Sequence, residues 1–163
     1  MSASRAGWAT DGLASAKKQP LLIGWREWVE LPDLTAIPIK AKIDTGARTS
    51  AIHAWKIQRF SDAGMPWVRF ELHPVQKDNR TRIACTMPVH DEREIRSSNG
   101  EVTVRLVVKT RLRMDGRIWP IELTLARRDQ MGFRMLIGRT ALKRRVLIDP
   151  SDSYLTGREP GPV

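Results

Sequence analysis

Residues 37–54 of the chain read IPIKAKIDTGARTSAIHA, and this stretch decides the fold. Its apolar residues alternate with polar or basic ones: Ile37, Ile39, Ala41, Ile43. A period of two is typical of a strand with one buried face. The strand ends on Asp44, and Thr-Gly-Ala follows at once. Gly46 supplies the backbone freedom of a sharp turn, so these residues alone also fit a plain surface turn.

The same period of two continues along most of the chain. It predicts a first strand or pair of short strands in residues 21–31, and further strands over 68–72, 83–89, 102–114 and 121–125. Asn99-Gly100 and Asp115-Gly116 are hairpin signals, because both residues of each pair accept positive φ. Helical pattern is confined to RTALKRR after Gly138, where we expect about two turns capped by Thr140. The sequence therefore predicts a mostly antiparallel β barrel with one late helix.

The chain of 163 residues is long enough for one domain with one core. Residues 1–20 are read as a flexible N-terminal tail, 21–157 as the domain and 158–163 as a C-terminal tail. Lys and Arg total 28 against 18 for Asp and Glu, a net charge of +10. That charge favours an anionic partner, which can be nucleic acid, an anionic membrane or an acidic peptide.

Cys85 is the single cysteine, so no disulfide can form within the chain. No stretch has the length of a transmembrane helix, and the N-terminus lacks a signal-peptide pattern. We therefore expect a cytoplasmic protein that does not act in a membrane.

Three segments carry a resemblance to a known family. AKIDTGARTS resembles the active-site loop of aspartic peptidases, and MLIGRTAL at residues 135–142 resembles the second signature of the single-lobe, retropepsin-like group. The Asn-Gly hairpin lies between them, where that group carries its flap. More closely, KIDTGARTSAIHA, SSNGE, IELTLARRDQMGFRMLIGRTAL and LIDP resemble a bacterial retropepsin-like family often labelled ATP-dependent zinc proteases. Its members are commonly encoded near ATP-grasp ligases that add glutamate to proteins or peptides.

The resemblance covers roughly residues 21–157. It implies a mostly β fold: a single-lobe closed barrel with a flap hairpin and one short C-terminal helix. It also implies an aspartic peptidase with catalytic residues Asp44, Thr45 and Gly46. Because the sequence holds one Asp-Thr-Gly and the chemistry needs two carboxylates, the second Asp44 must come from a homodimer mate.

Further roles follow from the resemblance. The residues expected to bind substrate are Ala47, Arg48, Ser97, Ser98, Asn99 and Gly100, the last four forming the flap. The residues expected to support the site are Ser50, Gly138 and Arg139. Ser50 either bonds an Asp44 oxygen or bonds nearby backbone, Gly138 permits a close crossing of the two segments, and Arg139 is an ion-pair or capping residue.

Two residues keep open alternatives. Arg48 either pairs with a carboxylate of the mate or with Asp129, or it reads an acidic substrate. His53 either faces the cleft or is an ordinary strand histidine, and the second reading is favoured.

The family label itself finds little support in the residues. There is no G-x-x-x-x-G-K-[ST] loop for ATP and no H-E-x-x-H for zinc, and His53, His73 and His90 are scattered among strands. We expect no metal and no cofactor.

Three functions fit the sequence. The first is a homodimeric aspartic endopeptidase acting on peptides, among them acidic or glutamate-modified ones. The second is a catalytically silent retropepsin-like domain that binds a peptide as an added strand. The third is an RNA- or ribosome-binding β barrel, which the charge suggests; nucleic acid is disfavoured, because no RNP-like motif or KH loop is present.

Overall fold

A computed structural model describes residues 19–96, 99–127 and 132–157. These residues form eleven strands and one short helix. The strands are β1 (Leu21–Ile23), β2 (Arg26–Val29), β3 (Ile39–Ile43), β4 (Ser50–Asp62), β5 (Met65–Leu72), β6 (Ile83–Pro88), β7 (Asp91–Arg96), β8 (Val102–Met114), β9 (Arg117–Ala126), β10 (Met135–Ile137) and β11 (Val146–Ile148). The helix, α1, is Arg139–Leu142. The predicted mostly β class with one short helix is confirmed.

The main sheet has the strand order β2-β3-β10-β4-β9-β8-β7, and β5 branches from β4 and carries β6. Most neighbours are antiparallel, as predicted. Three pairs are parallel: β3 with β10, β4 with β9, and β1 with β11. The last pair is a two-stranded ribbon separate from the main sheet.

The expected closed barrel is wrong, because the described sheets do not close on themselves. The long strand β4 pairs with β9 and β10 along its first residues and with β5 farther on, with a bulge between Trp55 and Gln58. Lys56 lies in this bulge with φ of +51°. The bulge bends the strand, so the sheet forks at β4. In the described part, β2 meets β8 through the single bridge between Glu30 and Arg113.

The core follows the alternation that the sequence predicts. On β3, Ile39 and Ala41 are fully buried, and Ile43 is nearly so. They pack with apolar residues of β5, β8, β9 and β10 in one cluster. The pattern on β8 departs from prediction at its start, because Val102 and Val104 are exposed, while the inward-facing residues Val108, Thr110, Leu112 and Met114 are buried. The hairpin of β7 and β8 therefore projects beyond the core.

The two predicted turns are present. Asp115 and Gly116 have φ of +50° and +76° and join β8 to β9. Gly100 has φ of +85° between β7 and β8. Ser97 and Ser98, predicted to share this tip, lie outside the described residues.

The helix differs from prediction in its length and its cap. It has four residues rather than about two turns, and its N-cap is Gly138, with no side-chain cap bond. Thr140 was predicted as the cap and is not one. The reason is tertiary: carbonyls of the Asp44 loop already accept the first N–H groups of the helix, as described below. After the helix, Arg144 has φ of +66°, which does not continue an α-helix.

Glu27 on β2 is a fully buried carboxylate that joins the two ends of the described domain. It accepts hydrogen bonds from the N–H groups of Gly24 (2.6 Å), Leu155 (2.9 Å) and Thr156 (3.1 Å) and from the Thr156 hydroxyl (2.7 Å). A buried charge is tolerated when it is bonded in this way.

Within the described ranges, no helix has the length and apolar character needed to cross a bilayer. The predicted tails fall almost entirely outside these ranges, so the division at residues 20 and 158 stays a prediction.

Candidate active site

The loop after β3 presents Asp44 at the molecular surface. The Asp44 N–H donates to the carbonyl of Ile137 on β10 at 2.8 Å, which fixes the start of the loop. The Asp44 carboxylate accepts a hydrogen bond from the Gly46 N–H at 3.1 Å on Oδ1. Asp44 is half-buried, while Thr45 and Gly46 are exposed. The loop is thus a turn closed on the carboxylate itself.

Gly138 lies where the second signature crosses this loop. A Cβ atom at Gly138 would lie 2.8 Å from the Ala47 carbonyl oxygen and 2.8 Å from the Thr49 carbonyl carbon, too close for any side chain. The Gly138 N–H donates to Ser50 Oγ at 3.1 Å, and Ser50 is fully buried. Of the two roles considered for Ser50, the structure shows a bond to backbone, here that of a distant segment, rather than to Asp44.

The helix end and the loop bind each other through backbone groups. The Arg139 N–H donates to the Ala47 carbonyl at 2.8 Å, and the Thr140 N–H donates to the Arg48 carbonyl at 3.1 Å. The Arg139 side chain donates from Nη1 to the carbonyls of Thr45 (2.9 Å) and Gly46 (3.1 Å). Within the described residues Arg139 makes no ion pair. It binds the loop carbonyls through both its backbone N–H and its side chain.

An open groove of about 560 Å³ lies beside the loop. Its apolar lining comes from Leu142, Val146 and Ile148. Its other lining residues carry hydroxyls or positive charge: Thr45, Arg48, Arg139, Thr140, Lys143 and Arg144. No acidic residue of the described chain lines it, so the groove suits an anionic or mixed apolar and acidic occupant.

The base of the β7–β8 hairpin is tied to the loop by Arg93, which the sequence reasoning missed. Arg93 donates from Nη1 to the Thr49 hydroxyl at 3.0 Å, from Nη2 to Glu122 at 2.7 Å and from Nε to Asp91 at 2.9 Å. The hydrogen bond from Arg93 lowers the pKa of Glu122 and of Asp91. The Asp91-x-Arg93 spacing places both side chains on one face of a strand, which is the signal that was available.

The other predicted substrate-binding residues are spread out. Ala47 is half-buried in the loop and Arg48 is exposed. Asn99 and Gly100 are exposed at the hairpin tip, where the Asn99 side chain accepts from the Glu101 N–H. Arg48 makes no ion pair with a described carboxylate; Asp129, its predicted partner, lies outside the described residues.

His53 does not lie open to a cleft. It is 2 % exposed on β4, with its ring centroid 4.6 Å from that of Trp55 in an edge-to-face arrangement. His73 stacks on Trp55 and contacts Glu71 at 2.9 Å, while His90 contacts Glu122 on another strand. In the described part of the chain, no three His, Cys, Asp or Glu residues are grouped to hold a metal ion.

Comparison with known proteins decides the family. A model of the RimB-like family, described as retropepsin-like aspartic endopeptidase RimB, matches residues 22–159. The chain belongs to this RimB-like family. The match includes the Asp44 loop, the hairpin and the Gly138 segment, the three features on which the resemblance was based.

Curated relatives of this RimB-like chain are longer proteins. One from Shewanella halifaxensis (strain HAW-EB4), named "Probable alpha-L-glutamate ligase", is 46% identical over 138 residues, covering 85% of this chain and 30% of the relative. One of the same name from Desulfotalea psychrophila (strain LSv54 / DSM 12343) is 48% identical over 130 residues, covering 80% and 28%. The chain thus spans about a third of the length of these relatives.

A solved structure shares the fold. The crystal structure of a Legionella pneumophila protein of unknown function matches the RimB-like chain with a TM-score of 0.68 at 22% identity. The match covers 83% of this chain and 98% of that one.

Proposed function

We propose that this chain is an aspartic-type endopeptidase that works as a homodimer, with one catalytic Asp44 from each subunit. The observation that carries the proposal is the Asp44 loop, which hydrogen bonds fix to the Gly138–Thr140 segment. Asp44 is half-buried on a turn whose backbone is contacted by Gly138 and Arg139, and an open groove lies beside that turn. A fixed, solvent-accessible carboxylate is what general acid–base chemistry requires.

The mechanism uses two carboxylates that share one proton. One of them takes a proton from the attacking water, while the other hydrogen-bonds the carbonyl of the scissile peptide bond. This chain has one Asp-Thr-Gly, and among the described residues Asp44 Oδ2 accepts no hydrogen bond. A two-fold axis beside Asp44 would supply the second carboxylate from an identical loop.

Two surface features support association with a second copy. Leu22 and Leu147 lie opposite each other in the β1–β11 ribbon and are 54% and 60% exposed. In the described part of the chain, each ribbon strand has one neighbour and therefore one unpaired edge. Exposed apolar side chains beside open strand edges are typical of surfaces that pair with another chain.

The substrate proposed is a peptide rich in glutamate. The groove beside the Asp44 loop is lined by positively charged side chains and, in the described chain, by no acidic residue. The whole chain has a net charge of +10. Relatives that contain a segment similar to this chain are named "Probable alpha-L-glutamate ligase". A ligase adds glutamate residues to a peptide, and a hydrolase can break the same bonds. A peptidase related to part of these ligases therefore fits the removal of added glutamates.

Cleavage of peptides by wild type and by Asp44→Asn tests the proposal. The peptides should include oligoglutamate-tagged and untagged forms, each with and without a chelator, with products read by mass spectrometry. We expect cleavage by wild type, no cleavage by Asp44→Asn and no effect of the chelator. Equal cleavage by both forms would exclude the aspartic mechanism, and loss only with chelator would point to a metal.

A further inference from the structure

A half-buried arginine, Arg105, lies on the underside of the β7–β8 hairpin. In the β7–β8 ladder it is directly opposite Arg93, so the two side chains leave the sheet on the same face. Arg93 reaches Thr49, five positions after Asp44. This face of the hairpin is therefore the one turned toward the Asp44 loop, and Arg105 lies on it.

The two arginines differ in their partners. All three donor nitrogens of Arg93 are engaged, by Asp91, Thr49 and Glu122. Arg105 makes no ion pair with any carboxylate of the described residues and is only partly exposed to water. Asp91 and Glu122 offset the charge of Arg93, whereas no carboxylate of the described residues pairs with Arg105. Withdrawing an unpaired charge from water is costly.

The row of residues next to Arg105 on this face is uncharged except at its outer end. Ala51, Thr124, Val107 and Asp91 form one row across four strands, and the first three are buried. The other charged and titratable groups on this face are Lys109, Arg111, His53, His90 and Glu122. Both Asp91 and Glu122 are bonded to Arg93, and Arg111 is paired with Asp33. Among the described arginines of this face, Arg105 is therefore the one left to bind a new anion in a forked, two-bond geometry.

We infer that Arg105 is a specificity-determining residue that binds a carboxylate side chain of the substrate peptide next to the scissile bond. The inference rests on the proposed peptidase function and deepens it, because it assigns glutamate selection to one side chain under the hairpin. Arg93 has a different part: it joins the hairpin that carries Arg105 to Thr49, five positions after Asp44.

Binding to the Asp44→Asn protein tests the inference independently of catalysis. The probes are fluorescein-labelled hexaglutamate and hexaglutamine, and binding is read by fluorescence anisotropy at low and at physiological salt. In the Asp44→Asn background we expect Arg105→Gln to reduce the preference for hexaglutamate about tenfold to a hundredfold, the loss expected for a charge-assisted hydrogen-bond pair. Arg105→Lys should keep part of the preference, since the charge remains but the fork is lost.

Lys109→Gln is the matched control, because it removes one positive charge from the same face of the same strand. It should leave the preference nearly unchanged. An equal loss in Lys109→Gln and Arg105→Gln, or an unchanged preference in Arg105→Gln, would overturn the inference, since selection would then come from the general field of the protein.

Thermal melting separates this role from a structural one. Because Arg105 makes no ion pair within the described residues, Arg105→Gln should leave the melting temperature close to that of the parent protein. A clearly lower melting temperature would show that Arg105 supports the fold and would also overturn the inference. If hexaglutamate binds with an Arg105-dependent preference but wild type cleaves no peptide, the peptidase proposal fails while the assignment of Arg105 stands.

Discussion

The hydroxyl oxygen of Ser50 accepts a hydrogen bond from the backbone N–H of Gly138 at 3.1 Å, across 88 residues of sequence. Both groups are buried, and Gly138 also lies against the Ala47 and Thr49 backbone. This contact joins the first residue of β4 to the segment that leads into α1. The rigidity of the Asp44 loop therefore depends on a pair of residues that do not touch the carboxylate.

Replacing Ser50 by alanine should destabilise the protein, because the Gly138 N–H would stay buried without a partner. The expected cost is about 1–3 kcal/mol, which corresponds to a fall of several degrees in melting temperature. Ser61→Ala, at an exposed position near the other end of β4, is the control and should change little. Melting followed by circular dichroism measures both; equal melting temperatures for Ser50→Ala and wild type would contradict the assigned bond.

Replacing Glu27 by glutamine should have a larger effect. The amide has one oxygen where the carboxylate has two, and its NH₂ group would face N–H donors of residues 24, 155 and 156. We expect a loss of about 3 kcal/mol or more, since at least two charge-assisted bonds fail. Glu30→Gln, whose side chain is 42% exposed and 3.7 Å from Arg113, should cost under about 1 kcal/mol. Urea unfolding curves would show the difference, and similar midpoints for the two variants would refute it.

Mixing wild-type and Asp44→Asn subunits should show whether two subunits share one active site. If each subunit gives one Asp44, a mixed dimer of wild type and Asp44→Asn is inactive. Co-refolding equal amounts at fixed total protein should leave about a quarter of the activity, against about half for independent subunits. Asp62→Asn, at an exposed position at the end of β4, should leave full activity in the same mixture. Half activity with Asp44→Asn would argue for a subunit that works alone.

Acid should weaken the tie between the hairpin and the loop. Hydrogen bonding to Arg93 lowers the pKa of Glu122 and of Asp91 in the folded protein. Their stabilising effect is therefore present above the unfolded-state values of about 4 and is lost as pH falls through the lower folded values. Melting temperature should drop in this acidic range more steeply for wild type than for Arg93→Gln; parallel curves would show that these pairs contribute nothing.

The parts of the fold that local chemistry controls were predictable. The alternation of Ile39, Ala41 and Ile43 indicated a half-buried strand, and Asp115-Gly116 indicated a tight hairpin, because each signal depends on residues close in sequence. The two halves of the candidate site, the Asp-Thr-Gly and the segment around Gly138, were identified by their resemblance to the retropepsin-like family, because the Asp-Thr-Gly alone also fits a plain turn.

Features that depend on distant partners were not predictable. Glu27 sits in an ordinary strand pattern, and nothing near it in sequence shows that residues 155 and 156 complete its shell of donors. Thr140 was predicted as the cap of α1 from its residue type. The carbonyls that accept the helix N–H groups belong to Ala47 and Arg48, in a segment distant in sequence, and the local pattern does not show them. The closed barrel, expected from the many short strands and from the family resemblance, did not form. The sheet instead forks at β4, at the bulge that contains Lys56.

The Glu27 carboxylate has a consequence for how this unit can be used in larger proteins. Because one side chain holds Gly24 and Thr156 together, the chain enters and leaves the folded unit at nearly the same place. A unit with adjacent entry and exit points can be inserted into, or appended to, a longer polypeptide without rearranging its interior. That property suits this chain, because a curated relative contains a similar segment that makes up less than a third of its own length.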